Sequence, residues 1–283
     1  LWRNELMHVF YDRLNNDDDR KYVSETLIGT LVKENYPELY KPVMRNPLLW
    51  GDFRHVNSML GEDLQNNPQL ALATPRLYED LESFENIQAI FNEVLVSYND
   101  EHDQNSTLVL FQDALDHLIR IHRILRLPRG HALLVGVGGS GKQSLTKLAA
   151  YACQYKVFQI ALTRSYDMSD FLMDLKSLYC MLVGAPTLSD KYAGPVVPGG
   201  QDVVFLFTDS HVKQEGFLEL INNMVTSGMV PALFTDEEKG PLLEAARQDA
   251  KNIGKTLVSK DECWQYVINK CQDHLHVVLC MSP

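Results

Sequence analysis

The sequence predicts an α/β chain: a three-layer αβα sandwich on a mostly parallel sheet, preceded by a helical segment. Three observations carry this. The apolar run Ala132-Leu133-Leu134-Val135 passes into the glycine-rich stretch Gly136-Val137-Gly138-Gly139-Ser140-Gly141-Lys142, and then into a helical pattern through Leu145, Leu148, Ala149 and Ala152. A second run, Val203-Val204-Phe205-Leu206-Phe207, is wholly apolar, as a central strand covered on both faces must be. Strand-like runs and helix-period stretches then alternate to the last residue, the pattern of parallel strands joined by crossover helices.

The bulk properties narrow the class. A chain of 283 residues with 45% hydrophobic content can bury one large core or two ordinary ones. A net charge of −11 argues against a dedicated nucleic-acid or anionic-membrane surface. No apolar run approaches the ~20 residues of a membrane span. The chain begins at Leu1 with no signal-peptide pattern and reads as a fragment of something longer. Cys153, Cys180, Cys263, Cys271 and Cys280 have no paired spacing, so they read as buried thiols of a reducing compartment and not as a zinc or disulfide frame.

In order along the chain, Leu6, Val9, Phe10 and Leu14 share one helical face. Asn15-Asn16-Asp17-Asp18-Asp19 reads as a solvated turn, since it lacks the spaced ligands and glycine of a calcium loop. Tyr22 to Glu34 is a short helix. Tyr36 to Pro75, punctuated by Pro37, Pro42 and Pro47, is irregular, with Trp50-Gly51-Asp52-Phe53 as an anchored loop whose aromatics are buried. Leu77 to Tyr98 returns to helical spacing, Asn99 to Thr107 is a polar linker, and Ala114 to Leu125 marks another helix. His117 and His122 on that helix have no acidic or cysteine partner at ligand spacing. Beyond the glycine loop, Val157–Leu162 reads as a strand. Ser169 caps a helix to about Leu182, Gly184–Gly200 is an exposed loop, and Phe217–Met224 is helical. Pro241 opens a helix to Ile253, Ser259 and Glu262 form a capping box, and His276–Cys280 is a last strand.

The chemistry lies at two strand ends. A strand, a glycine loop and a helix with Lys at the loop's end form a phosphate cradle. Glycines let successive N–H groups face one point, the helix adds the positive end of its dipole there, and Lys142 reaches the β and γ phosphates of a nucleotide. The usual pattern then has Ser or Thr as a Mg2+ ligand. Here Gln143 holds that place and Ser144 follows, turned by roughly 100°. Asp209 ends the Val203–Phe207 strand on the edge where open α/β sheets bind ligands, and it fits the acid that holds Mg2+ through its water shell. In hydrolysing sites of this design a Glu base follows the Asp. Ser210 stands there instead, and a hydroxyl is no useful base near neutral pH. Glu215 and Glu219 lie further on.

These residues carry a resemblance. Gly136–Leu145, Phe205-Leu206-Phe207-Thr208-Asp209, Gly216-Phe217-Leu218-Glu219, Gly228-Met229-Val230-Pro231 with Phe234, and His276–Pro283 together resemble an axonemal dynein heavy chain, at the fourth AAA+ module of its motor ring. Leu1–Glu5 with Val9–Leu14 resembles the final helix of the preceding module's lid. The resemblance divides the chain into 1–34, the helical tail of that lid; 35–98, an irregular and helical linker region; and 99–283, an AAA+ large subdomain truncated after its sensor strand. It implies ATP or ADP in the cradle, with Mg2+ at Asp209. It makes Leu108 and Val109 lining of the adenine pocket and Ser282 a polar sensor of the γ-phosphate. It implies neighbouring AAA+ modules of the same heavy chain as partners. A microtubule would be reached through a stalk, and intermediate and light chains through a tail, both outside this chain. No nucleic acid or membrane partner is implied. The place is the cytoplasm and cytoskeleton, in the axoneme of a cilium or flagellum. Three functions stay open: a regulatory site that hydrolyses poorly, an active ATPase with Glu215 or a neighbour as base, and a structural module with an empty cradle.

Overall fold

A computed structural model describes residues 1–60, 76–102 and 108–283. Two units divide the chain, Leu1–Leu115 and Asp116–Pro283. In the first, α1 (Trp2–Leu6) continues through a π-helical stretch (Met7–Tyr11). Then α2 (Asp17–Lys21) passes through a second π-helical stretch (Tyr22–Ile28) into α3 (Gly29–Asn35). The acidic run expected to be a turn is instead the first turn of α2. Asn16 accepts the Asp18 N–H at 2.9 Å, and Asp17, Asp18 and Asp19 sit at the positive end of the helix dipole.

Tyr36 onward is less irregular than expected. A 3-10 turn (Pro37–Leu39), α4 (Tyr40–Met44) and β1 (Trp50–Gly51) follow, and β1 pairs antiparallel with β2 (Glu79–Asp80). Phe53 is fully buried, 4.9 Å from the Phe91 ring, whereas Trp50 is only half-buried. The long helix α5 spans Phe84–Glu101, not Leu77–Tyr98. Glu82 at φ 68° interrupts the chain, and Ser83 then accepts the Asn86 N–H at 3.3 Å. Leu81 is in phase with the helix but is buried beside Gly51, not on the helix. Residues 61–75 and 103–107, parts of the stretches read as irregular and as linker, lie outside the described residues.

Helix α6 (Gln112–Arg126) starts in the first unit and buries Ala114, Leu115, Leu118, Ile121 and Leu125 on one face. The second unit is built on β3 (Ala132–Val135), β4 (Lys156–Phe158), β5 (Val203–Thr208) and β6 (Leu275–Met281). These form one parallel sheet in the order β3-β6-β5-β4. All six residues of β5 are buried, as its unbroken apolar run requires. Val203, Phe205 and Phe207 enter the core shared with α8 (Met168–Val183), α9 (Gly216–Ser227), α10 (Asp236–Asn252) and α11 (Lys260–His274). Val204 and Leu206 alternate to the other face, and α7 (Lys142–Cys153) packs on β4, β5 and β6. The expected αβα layering is therefore present.

Three boundaries differ from the sequence reading, each for a local reason. Strand β4 stops at Phe158, the last residue paired with β5. Ile160 stays in the core after the backbone has left the ladder. Asp167, not Ser169, caps α8. Its carboxylate takes the N–H groups of Ser169 and Asp170, while Asp170 takes the Asp167 N–H. Helix α10 starts at Asp236, where Thr235 and Glu238 close a capping box, and Pro241 lies inside the helix. The Ser259–Glu262 box of α11 stands as expected. All five cysteines are buried free thiols.

Candidate functional site

The glycine loop leaves β3 still tied to β6: the Gly136 N–H donates to Met281 O at 3.1 Å. Gly139 and Gly141 take φ of 77° and 81°, a region that favours glycine. A Cβ on Gly138 or Gly139 would meet nothing within 4 Å, so open space lies over the loop. Val137, Gly138, Gly139 and Ser140 are exposed. The first bond inside α7 runs from the Leu145 N–H to Gly141 O at 2.8 Å, so Lys142, Gln143 and Ser144 carry the N–H groups that a helix start leaves open. Lys142 folds onto its own loop. Its Nζ donates to Gly136 O at 2.6 Å, Val137 O at 2.9 Å and Ser140 Oγ at 3.3 Å. Gln143 and Ser144 are exposed on the first turn.

Asp209 leaves β5 beside this loop's root. Its Oδ2 accepts the Ser282 N–H at 3.0 Å and its Oδ1 the Ser210 N–H at 3.1 Å. Hydrogen bonding from Ser282, then from Ser210, with the charge of Lys142, holds its carboxyl below the usual range despite some desolvation. The parallel register that sets Thr208 opposite Cys280 brings Asp209 and Ser282, far apart in sequence, to one edge. Cradle root, acid and strand-end serine are thus joined by two bonds, Gly136 to Met281 and Ser282 to Asp209.

The position after the acid is also fixed. Ser210 Oγ lies 2.7 Å from Thr208 Oγ1, and His211 Nδ1 accepts the Thr208 N–H at 3.1 Å. The His211 ring is buried at 5.4 Å from the Phe207 ring, and burial lowers its pKa. Sequence reasoning passed over His211. The signal was the spacing of three from Thr208, a capping box with imidazole where Glu or Gln is usual. Glu215 is exposed at the start of α9. Leu108 and Val109 belong to the first unit, Leu108 half-buried and Val109 74% exposed, in a segment that is not a strand.

The donor set suits an anion: glycine-loop backbone, helix-start N–H groups and an ammonium. An exposed, ionised carboxylate such as Asp209 suits a hard cation such as Mg2+. Among the described residues no group of three or more His, Cys, Asp or Glu side chains could hold a metal by itself. No helix among them is long and apolar enough to cross a membrane.

Comparison with known proteins gives this geometry its family. Residues 107–283 match the family described as the P-loop containing dynein motor region D4. The chain belongs to that family. It is 47% identical over its whole length to the dynein-1-alpha heavy chain of the flagellar inner arm I1 complex of Chlamydomonas reinhardtii, and 47% identical to human dynein axonemal heavy chain 10. It is 35% identical to the dynein beta chain of the flagellar outer arm of Chlamydomonas reinhardtii. The chain spans 6% of the length of each of these relatives. A dynein motor region of this kind is an AAA+ nucleotide-binding fold, in keeping with the strand–loop–helix start and the β3-β6-β5-β4 order. In this chain Gln143 follows Lys142, and Ser210 follows Asp209.

Proposed function

We propose that this dynein D4 region binds ATP or ADP on the Gly136–Lys142 loop, and that its site regulates the motor and hydrolyses poorly. The observation that carries the reading is the Asp209–Ser282 hydrogen bond at 3.0 Å, on the edge where Gly136 is bonded to Met281. Backbone N–H groups of the loop and of the α7 start would hold the phosphates. Lys142 would exchange its loop carbonyls for phosphate oxygens, and Asp209 would hold Mg2+ through water. Ser282 would act as the polar sensor of the γ-phosphate. Bound Mg2+ supplies charge neutralisation between phosphates.

Poor hydrolysis is supported by the residues around the acid. Ser210 is engaged with Thr208, and the Nδ1 of His211 is taken by a backbone N–H. The names of the relatives, axonemal and flagellar dynein heavy chains, support a place in the axoneme of cilia or flagella. On this reading neighbouring AAA+ modules of the same heavy chain are the immediate partners, and microtubule and light- or intermediate-chain binding belongs to other parts of the heavy chain. The test is Lys142→Ala in the full-length protein with its other nucleotide sites disabled. Loss of this charge-assisted contact should weaken nucleotide binding by about 1–3 kcal/mol in titration calorimetry. Unchanged affinity would rule out the cradle.

A further inference from the structure

We infer that His211 is a positioning residue for Asp209, setting the carboxylate where it can hold a hydrated Mg2+. The inference rests on the proposed nucleotide site and adds a residue to it. Asp209 sits on a turn of only three residues, Asp209–His211, directly after β5. A single 3-10 turn has poor hydrogen-bond geometry and little stability of its own. Its backbone closure includes the bond from the Val212 N–H to Asp209 O at 3.1 Å. Side chains fasten it to the strand. The imidazole folds back so that Nδ1 accepts the Thr208 N–H at 3.1 Å, and Thr208 Oγ1 meets Ser210 Oγ at 2.7 Å.

The ring is well placed for this work. It is 6% exposed, against Phe207, so it fills its space as well as bonding. The Thr208 N–H it satisfies belongs to a residue only 2% exposed, and a buried donor left without an acceptor is costly. The pairing of β5 with β6 ends at Thr208 and Cys280, so Asp209 is the first residue past the paired strand. The carboxylate orientation then depends on the turn, with Oδ1 on the Ser210 N–H and Oδ2 on the Ser282 N–H. His211 reaches Mg2+ only through this chain of bonds. Because Nδ1 accepts a backbone proton, it is not available as a base.

The test measures binding of a fluorescent ADP analogue to the full-length protein, its other nucleotide sites disabled, in Mg2+ and in EDTA. Loss of a partner that orients a metal-holding group typically costs ~10–100-fold in metal affinity. His211→Ala should cut the Mg2+-dependent gain in affinity by that order and leave the EDTA affinity within about twofold. His211→Asn places Oδ1 where Nδ1 stands and should restore the gain. His211→Gln, of similar size but with its acceptor one bond further out, should not, and it serves as the reading if the Ala variant fails to fold. Equal losses with and without Mg2+, or a full gain in both the Ala and Gln variants, overturns the inference. A parent that binds no nucleotide in either buffer overturns the site itself, and that outcome is read before any variant is made.

Discussion

His131 and His276 staple the amino ends of β3 and β6 in opposite senses. His131 Nδ1 accepts the Val277 N–H at 3.0 Å, and His276 Nδ1 donates to Gly130 O at 3.0 Å. The two bonds extend a ladder whose regular pairing starts at Ala132 and Val278. They also fix the tautomers. A carbonyl only accepts, so His276 carries its proton on Nδ1. An amide only donates, so His131 carries its proton on Nε2. His276 Nε2 is buried without a partner, and the Tyr155 ring stacks over the imidazole at 5.1 Å.

Acid should therefore weaken the second unit. Burial lowers the pKa of both histidines. For His131 the neighbouring His276 adds to this. For His276 the bond to Gly130 and the charge of Asp202 oppose burial, and His274 and Arg126 add to it. The unfolded chain takes up protons near the ordinary value of about 6.5, while the folded chain resists. Stability is then fully present above that pH and falls as pH drops from it toward the folded values. Protonating His131 on Nδ1 also removes the acceptor of Val277. The denaturation midpoint should fall between neutral and mildly acidic buffer, and less so in His131→Asn, which keeps an acceptor but does not titrate. An identical pH profile in that variant would show that the proton is taken up elsewhere.

What the sequence made legible follows from what is local. The glycine loop, the all-apolar β5 and the Ser259–Glu262 box each declare themselves within eight residues. The β5 run has no alternation because both its faces are covered, and that is visible without the partners. The Ser282–Asp209 bond was not legible, since it depends on the parallel register of β5 and β6 across three intervening α-helices. Strands β1 and β2 hold two residues each and have no period to read. Helix α10 was misplaced because Pro241 looked like a start, while the stronger signal was the Thr235–Glu238 pair. Leu77 to Phe84 kept helical phase by coincidence, with Leu81 buried by a loop.

Lys191 should matter to stability more than an ordinary surface lysine does. It donates to Asp174 at 2.8 and 3.0 Å and lies 4.8 Å from the centre of the Tyr192 ring. Asp174 is 3% exposed and also accepts the Tyr166 hydroxyl at 2.7 Å. Together these bonds hold the Gly184–Gly200 loop against α8. Lys191→Ala leaves the buried carboxylate with fewer donors, so a loss of about 1–3 kcal/mol is expected, moderated because the lysine is partly solvated. Denaturant unfolding measures it, and a loss under about 0.5 kcal/mol would mark the pair as an ordinary surface contact.

Residues 1–34 are proposed to be the tail of a neighbouring lid and should not fold alone. In that stretch Ile28 and Val32 are the buried large hydrophobics, whereas Val9, Phe10, Tyr22, Leu27 and Leu31 are exposed. Two side chains cannot offset an ordering cost of about 1–2 kcal/mol per residue. The buried Arg3 also leans on later chain, donating to Arg45 O at 2.8 Å and Val43 O at 3.1 Å. A peptide of Leu1–Tyr36 should give a random-coil circular dichroism spectrum. A cooperative thermal transition in that peptide would move the boundary.

The site should hold its nucleotide and turn it over slowly. Hydrolysis needs Mg2+ between the phosphates, an oriented water and a base beside it. Ser210, where a base would stand, has its hydroxyl 2.7 Å from Thr208 Oγ1. Gln143 offers Mg2+ only a neutral amide oxygen on a longer side chain. Loss of base catalysis alone costs about 10²–10⁴-fold in rate, so bound ATP should outlast many cycles at an active site turning over at about 10 s⁻¹. Occupancy still acts on the motor, because a ligand that prefers one ring state shifts the population by its differential affinity. The decisive comparison is the parent against Ser210→Glu, in the full-length protein with its other sites disabled. The parent should be nearly silent and keep its nucleotide through gel filtration, and the restored carboxylate should raise turnover by at least about tenfold. A parent that already hydrolyses at about 10 s⁻¹, with no change on adding Glu, would mean that another group, Glu215 first among them, supplies the base, and the regulatory reading would fall.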